Sequence, residues 1–248
     1  MRIRDAELAD VPRMAELAEA KRQHYRDHAT PFQRPAGNGR ELHERFLPKL
    51  LEWDGFAVIV HDEGNGVDGF VVARFGSAPP PYGDGSLFHV DDFALADAAN
   101  WSTIGRALLD EVMRRADAAG IETAIVVSGP ASIDEPKTAF LSAQGLRVDA
   151  EWWVKALPPT GGELPAKEGF EAAIGPAPPV YEPGGPTALA LRIDHPEAVE
   201  RFEQFASASQ AVVAIVPARA SDDRLRDELG RRDFTVASEW YAGPVAGC

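Results

Sequence analysis

Residues 87–109 read LFHVDDFALADAANWSTIGRALL. The stretch begins as a strand, with Phe88, Val90 and Asp92 on one face and His89, Asp91 and Phe93 on the other. That is the period of two that a pleated backbone imposes. It ends as a helix, because Ile104, Leu108 and Val112 recur every four residues and form one apolar stripe. Between the two lies a short polar turn, residues 97–103, well supplied with side chains that cap helices. A strand entering a helix through such a turn leaves backbone amides unpaired at the positive end of the helix dipole. The stretch is therefore read as an anion site.

Upstream, residues 1–5 read as a short strand, and Asp10 caps a helix that tolerates Pro12 in its first turn. Val11, Met14, Leu17 and Ala18 give that helix a buried stripe running as far as Tyr25. Residues 26–39 are irregular, and a second amphipathic helix carries Leu42, Phe46, Leu50 and Leu51 on one side. Residues 56–61 and 67–75 form two strands joined by a hairpin-type turn, Asp-Glu-Gly-Asn-Gly. Downstream, Gly120 closes the helix and residues 123–128 make a continuous apolar strand, the pattern of one covered on both faces. A helix over 134–143 ends at Gly145, and an aromatic-rich strand follows over 146–155. The expected order over 1–157 is β-α-α-β-β-β-α-β-α-β, one compact α/β domain.

Residues 158–186 shift sharply to Pro and Gly and read as a linker with one strand, 170–174, embedded in it. The rest alternates strand (188–193), helix (196–206), strand (211–216), helix (222–230) and strand (234–241), which repeats the second half of the first domain. At a constant offset of 88, Asp134 matches Asp222, Leu141 matches Leu229 and Val148 matches Val236. Glu151-Trp152 likewise meets Glu239-Trp240, with Trp153 opposite Tyr241, and so rare an ending points to an internal duplication.

Composition bounds the partners. A net charge of -14 over 248 residues argues against nucleic acid or an anionic membrane, and permits a cationic acceptor such as an amine. The one cysteine, Cys248, allows no internal disulfide and suggests a reducing compartment. With no signal-like apolar core near the N-terminus and no run able to span a bilayer, a cytoplasmic location is expected. His24, His28 and His43 lack metal-ligand spacing, so no metal is expected. No Gly-x-Ser-x-Gly elbow or reactive internal cysteine supports a hydrolase.

The element order of 1–157, with Asp92-Phe93-Ala94-Leu95 and the run from Asn100 through Gly105, Arg106 and Leu109, resembles the GNAT superfamily of CoA-dependent N-acyltransferases. The implied fold class is α/β (an α+β mixed sheet). It comprises a GNAT-like acyl-CoA-binding domain over 1–157, the linker over 158–186 and a degenerate GNAT-like half-domain over 187–248. The family's Gln/Arg-x-x-Gly-x-Gly/Ala pattern, whose amides cradle the CoA pyrophosphate, falls on residues 100–105. Gly105 and the Arg106 run match it, whereas Asn100 replaces Gln/Arg and Thr103 replaces the first glycine. Thr103 crowds an amide that glycine would leave bare, and its hydroxyl is expected to bond a phosphate oxygen instead. The resemblance implies acetyl-CoA as co-substrate, held by Phe93, Ala94, Leu95, Asn100, Trp101, Ser102, Thr103, Ile104, Gly105 and Arg106. The thioester would lie in a V-shaped gap where strand 93–95 splays from strand 124–127.

In such a reaction an amine attacks the thioester carbonyl and must lose a proton to a base. His89, eleven residues before Asn100, holds a position from which some family members supply a carboxylate base; Asp91 and Asp92 are the other candidates. Many members place a tyrosine acid four residues before the glycine ending the next helix. Here that residue is Leu141, which donates no proton. The family builds its acceptor side from the first two helices and their connection, which here hold Tyr25, His28, Phe32, Arg34 and His43. The repeated half has only Asp194 and His195 where a phosphate turn would sit. It is expected to extend the sheet, cover its edge or form a homodimer surface. The expected activity is transfer of an acyl group, acetyl in the first instance, to a primary amine of a small molecule or peptide. The alternative is a catalytically silent module binding CoA or a protein partner.

Overall fold

The computed structural model describes residues 2–26, 28, 30–64, 66–77, 80–82 and 86–245. Met1, Asn65 of the hairpin turn and Cys248 lie outside the described residues. The first ten elements in order are β1 (Arg2–Asp5), α1 (Val11–Arg26), α2 (Gly39–Glu52), β2 (Phe56–Asp62), β3 (Val67–Ser77), β4 (Ser86–Leu95), α3 (Arg106–Ala118), β5 (Thr123–Ser128), α4 (Glu135–Ala143) and β6 (Arg147–Ala156). They are followed by β7 (Phe170–Gly175), β8 (Thr187–Ile193), α5 (Ala198–Ala208), β9 (Val213–Arg219), α6 (Asp223–Arg231) and β10 (Thr235–Pro244). All ten strands join one mixed sheet in the order β1-β2-β3-β4-β5-β10-β6-β9-β8-β7. Among the described residues no helix is long and apolar enough to cross a membrane.

Strand alternation sorts the core into two layers. Val58, Val60 and Val72 point to one face and meet Met14 and Leu17 of α1 and Leu47 of α2. Ile59 and Val71 point to the other face, joining Phe88, Leu108 and Leu141 under α3 and α4. Helices α5 and α6 cover the same face as α3 and α4. Glu151 beside α6 is paired across strands with Glu239, and such partners project to one side. The buried stripe of α2 differs from the expected one: His43, Leu47 and Leu50 face inward, while Phe46 is 43% exposed. Polar His43 is retained inside because Arg22 Nη1 donates to its Nδ1 at 3.2 Å.

The middle of the sheet is exchanged between the two halves. β5 and β6 do not pair; β10 lies antiparallel between them, with Trp240 opposite Val127 of β5 and Glu239 opposite Glu151 of β6. β6 in turn pairs with β9, Trp153 opposite Val216. Each half thus closes with the other's last strand, and the chain is a tandem repeat. The matched residues recur in matched roles: Asp134 and Asp222 are the N-caps of α4 and α6, and Leu141 and Leu229 are fully buried beneath them. The shared Glu-Trp-aromatic ending follows from the period of two. Glu151 accepts from Trp153 Nε1 at 2.9 Å and Glu239 from the Tyr241 hydroxyl at 2.8 Å on one face. The intervening Trp152 and Trp240 stack on the other, with centroids 5.2 Å apart.

Candidate active site

The parallel pairing of β4 with β5 covers only Phe88, His89 and Val90 opposite Ala124, Ile125 and Val126. At that point β4 carries an extra residue: Val90 is opposite Ala73 of β3, and Asp92 is opposite Val72. Asp91 is therefore bulged, which bends a strand and resets its side-chain phase. The expected alternation is corrected accordingly. Phe88, Val90 and Phe93 share the α3 face, while Leu87, His89, Asp92 and Ala94 take the other. Beyond the bulge β4 leaves β5, so the gap opens at Val127; Ala124 is in the paired portion.

On the α1/α2 face the bulge opens into a cavity of about 710 Å³. Asp91, Asp92, Arg74, Lys21 and His43 line it, and residues 178–181 of the connection between the halves form its far wall. That connection is held in place by short contacts. Ala36 N donates to Val180 O at 3.0 Å, Glu182 N donates to Arg34 O at 2.8 Å, and the Phe32 and Tyr181 rings lie 5.7 Å apart.

The two acids have different partners. Asp92 forms an ion pair with Lys21 and lies 3.8 Å from His43 Nε2. Burial opposes its charge, but Lys21 and then His43 outweigh burial and hold the carboxyl below its ordinary pKa. Burial lowers the pKa of His43 despite Asp92. Because an arginine only donates, His43 carries its proton on Nε2 and faces Asp92 as a neutral ring. Asp91 Oδ2 is 2.9 Å from Arg74 Nε, and its Oδ1 is 2.8 Å from His89 Nδ1. Arg74 Nη2 also lies 3.0 Å from that ring nitrogen. The proton at Nδ1 thus decides whether His89 donates to the carboxylate or accepts from the guanidinium. His89 itself is buried against Trp240, with ring centroids 5.1 Å apart, and its Nε2 has no hydrogen-bond partner among the described residues.

On the opposite face of the gap, chain atoms fill the wedge. Trp101 packs edge-on to Phe93 at 4.8 Å and stacks on Phe140 at 5.5 Å. Lys137, 3% exposed, lies over the Phe93 and Trp101 rings and donates from Nζ to Val127 O at 2.8 Å. Val127 is the first residue of β5 past the paired segment. Burial pushes the Lys137 pKa down to about 8. Sequence reading missed this residue, although a cation in register with Phe140 and Leu141 on a buried stripe is a legible signal.

The polar turn is a 3-10 turn (Ala98–Asn100) followed by a π-type turn (Trp101–Gly105), so α3 begins later than expected. Asp97 accepts from Ala99 N at 2.9 Å. Thr103 Oγ1 donates to Asn100 O at 3.2 Å, so the hydroxyl expected to meet phosphate is engaged within the turn. Ser102, Thr103 and Arg106 are exposed, and Arg106 is only loosely paired with Asp110 at 3.8 Å. Ile104 and Leu95 turn into the α3 core, and Ala94 packs toward α1 and α2. Gly105 is required by packing: a Cβ there would sit 2.7 Å from Trp101 Cε3.

Tyr25, His28, Phe32 and Arg34 are not among the residues lining the cavity. The Tyr25 hydroxyl donates to Asp134 at 2.5 Å, tying α1 to the connection after β5, and burial followed by Asp134 raises its pKa. His28 is exposed beside His24. Phe32 is buried behind the far wall, and Arg34 contributes its carbonyl to that wall. Elsewhere, His61, Glu63 and Asp68 bring ligand-type atoms within 4.8 Å of one another on the β2–β3 hairpin, a common grouping without an ion.

No protein-family model matches the sequence, and no curated protein does. Solved structures do match. The tandem GNAT protein from the clavulanic acid biosynthesis pathway, solved without AcCoA, covers 100% of this chain with 99% of its own length, at 13% identity and a TM-score of 0.56. The chain has a tandem GNAT fold. A tetramutant of the BH1408 protein from Bacillus halodurans covers 67% of this chain with 100% of its own, at 18% identity and a TM-score of 0.51. Within the tandem GNAT fold of this chain, the bulge and the splay recur in the second half, where Leu191 of β8 is the extra residue and the parallel pairing with β9 covers only Thr187, Ala188 and Leu189. The copy with carboxylates at the bulge, facing the cavity under α1 and α2, is the one in the first half. In the second half, β8 runs into α5 through four residues, 194–197, without a comparable turn.

Proposed function

We propose that the chain is an acyl-CoA-dependent N-acyltransferase whose first half carries the site. The observation that supports this best is the meeting of three features at one residue. β4 bulges at Asp91, its pairing with β5 ends there, and the cavity opens on the same carboxylate. Acetyl-CoA would enter from the α3 face, with its phosphates at the exposed Ser102, Thr103 and Arg106 and its thioester in the gap. An amine acceptor would enter from the cavity. The division into a catalytic first half, a connection and a supporting second half belongs to the same reading, with the connection supplying the cavity wall.

In the reaction the amine nitrogen forms a bond to the thioester carbon and the C–S bond breaks. The nitrogen's proton passes to Asp91, backed by His89 Nδ1 at 2.8 Å. The departing thiolate takes its proton from the Lys137 ammonium, whose pKa of about 8 matches a thiol near 8.5. Lys137 thereby supplies the acid that Leu141 cannot. Asp92, held ionised by Lys21, attracts an incoming ammonium and is too acidic to be the better base.

A second reading, a silent module that binds CoA or a protein partner, is favoured by the filled wedge. Lys137 holds the Val127 carbonyl that an entering pantetheine would need. Titration with acetyl-CoA, followed by thiol release against a panel of amines, separates the two. Binding with turnover supports the transferase, binding without turnover supports the silent CoA-binding module, and absence of binding overturns both CoA readings and leaves a module for a protein partner.

A further inference from the structure

The cavity's charge opposes that of the chain. The protein carries a net -14, yet five Lys or Arg side chains and only two Asp side chains line the cavity. Three of the cations are held by close acids: Lys21 by Asp92, Arg74 by Asp91, and Arg22 by Glu19 at 3.0 Å. Arg22 Nη2 is nonetheless buried and out of line for a hydrogen bond with that carboxylate. The other two stand at the mouth. Among the described residues Arg45 has only Glu41 as an ion-pair partner, across the exposed surface of its own helix, and such pairs contribute little. Lys49 has no ion-pair or hydrogen-bond partner among the described residues, and it stands one turn from Arg45 on α2. Beside them is an apolar surface. The Phe46 ring is exposed and lies 6.0 Å from Trp53, which is 5.9 Å from Phe56, and both Phe46 and Phe56 line the cavity.

We propose that this cavity binds a small amphipathic anion, with one carboxylate or phosphate at Lys49 and Arg45 and an apolar body against Phe46 and Phe56. Resting on the acyltransferase reading, the acceptor is then an amine that also carries an anionic group, as an apolar amino acid does. Its amine points to Asp91 and its carboxylate to the mouth. A basic mouth above a floor whose acids Asp91 and Asp92 are already paired with cations selects a ligand that carries an anion and disfavours a simple alkylamine.

The test is calorimetric titration of the full chain, without acyl-CoA, using 3-phenylpropionate, phenylalanine, phenyl phosphate and phenethylamine. The two carboxylates are expected to bind at least about tenfold more tightly than phenethylamine and to weaken with salt. Replacing the exposed lysine as Lys49→Met should cost about tenfold, and adding Arg45→Met should remove most of what is left. Tighter binding of phenyl phosphate than of 3-phenylpropionate would identify phosphate as the anion. Phenethylamine binding as tightly as the carboxylates, carboxylate affinity untouched by Lys49→Met, or no anion binding would each overturn the proposal. Anion binding without acetyl-CoA binding defeats the transferase reading and leaves this one standing. Turnover of phenethylamine but not phenylalanine does the reverse.

Discussion

Without the Tyr25 hydroxyl, the one side-chain hydrogen bond that Asp134 keeps among the described residues is the longer one from Ser128 Oγ, at 3.2 Å. Tyr25→Phe should therefore destabilise the protein by about 1.5–3 kcal/mol, the range for a hydrogen bond to a charged group, and urea unfolding would measure it. Lys137 gives a pH signature. Its folded pKa of about 8 lies below the ordinary 10.5, so between those values the unfolded chain binds more protons than the native one. Native stability relative to Lys137→Met should thus rise with pH across that window, by on the order of 3 kcal/mol in all. The burial penalty on the charged form is fully present below about pH 8. Urea midpoints of both proteins measured on either side of the window would check it. In turnover, the wild type should lose rate above about pH 8 along a limb that the Met variant lacks. Such residue-level chemistry was only partly legible in the sequence. His89, Asp91 and Asp92 stood out as polar residues in an apolar strand, but their partners Arg74, Lys21 and His43 come from distant segments.

Elements were far more legible than their junctions. Periodicity located nearly every helix and strand, because alternation and helical spacing are imposed by backbone geometry and recur over many residues. A bulge is one residue long and leaves no such trace, so the phase of β4 beyond Val90 came out inverted. The same geometry supplies a test. With Asp91 deleted, Val90, Asp92, Phe93 and Ala94 alternate regularly on the faces they already occupy. The deletion should fold with a melting temperature near that of the wild type while losing acyl transfer, because the gap closes. An active deletion variant would remove the bulge from the mechanism. At the other end of the stretch, Gly105→Ala drives a methyl into the Trp101 indole and should cost about 1–3 kcal/mol by overpacking. Its near-ultraviolet circular dichroism should change with the tryptophan's environment.

At the scale of the whole molecule, the duplication was legible in residues at matching offsets, while the strand exchange was not, since pairing partners leave no mark in the order of elements. The cavity was equally hidden, because its walls come from α1, α2, the bulge and a connection well over a hundred residues downstream of α2. The exchange predicts how the chain tolerates cutting. A fragment of residues 1–157 lacks β9 and β10, which bares one edge of β5 and both edges of β6, so it should aggregate when expressed alone. Co-expressed with residues 158–248, it should return to solution as a complex detectable by size-exclusion chromatography. A soluble, monomeric 1–157 would contradict this.

The strand that is tenth in sequence is sixth in space. A ribosome delivers the other nine first, so the nascent sheet waits with a slot open at its centre until β10 emerges. Mutations that slow the docking of Trp240 and Tyr241 should then act on yield in the cell more than on the finished protein's melting point. The repeat that gives the molecule its symmetry also makes its assembly depend on its final strand.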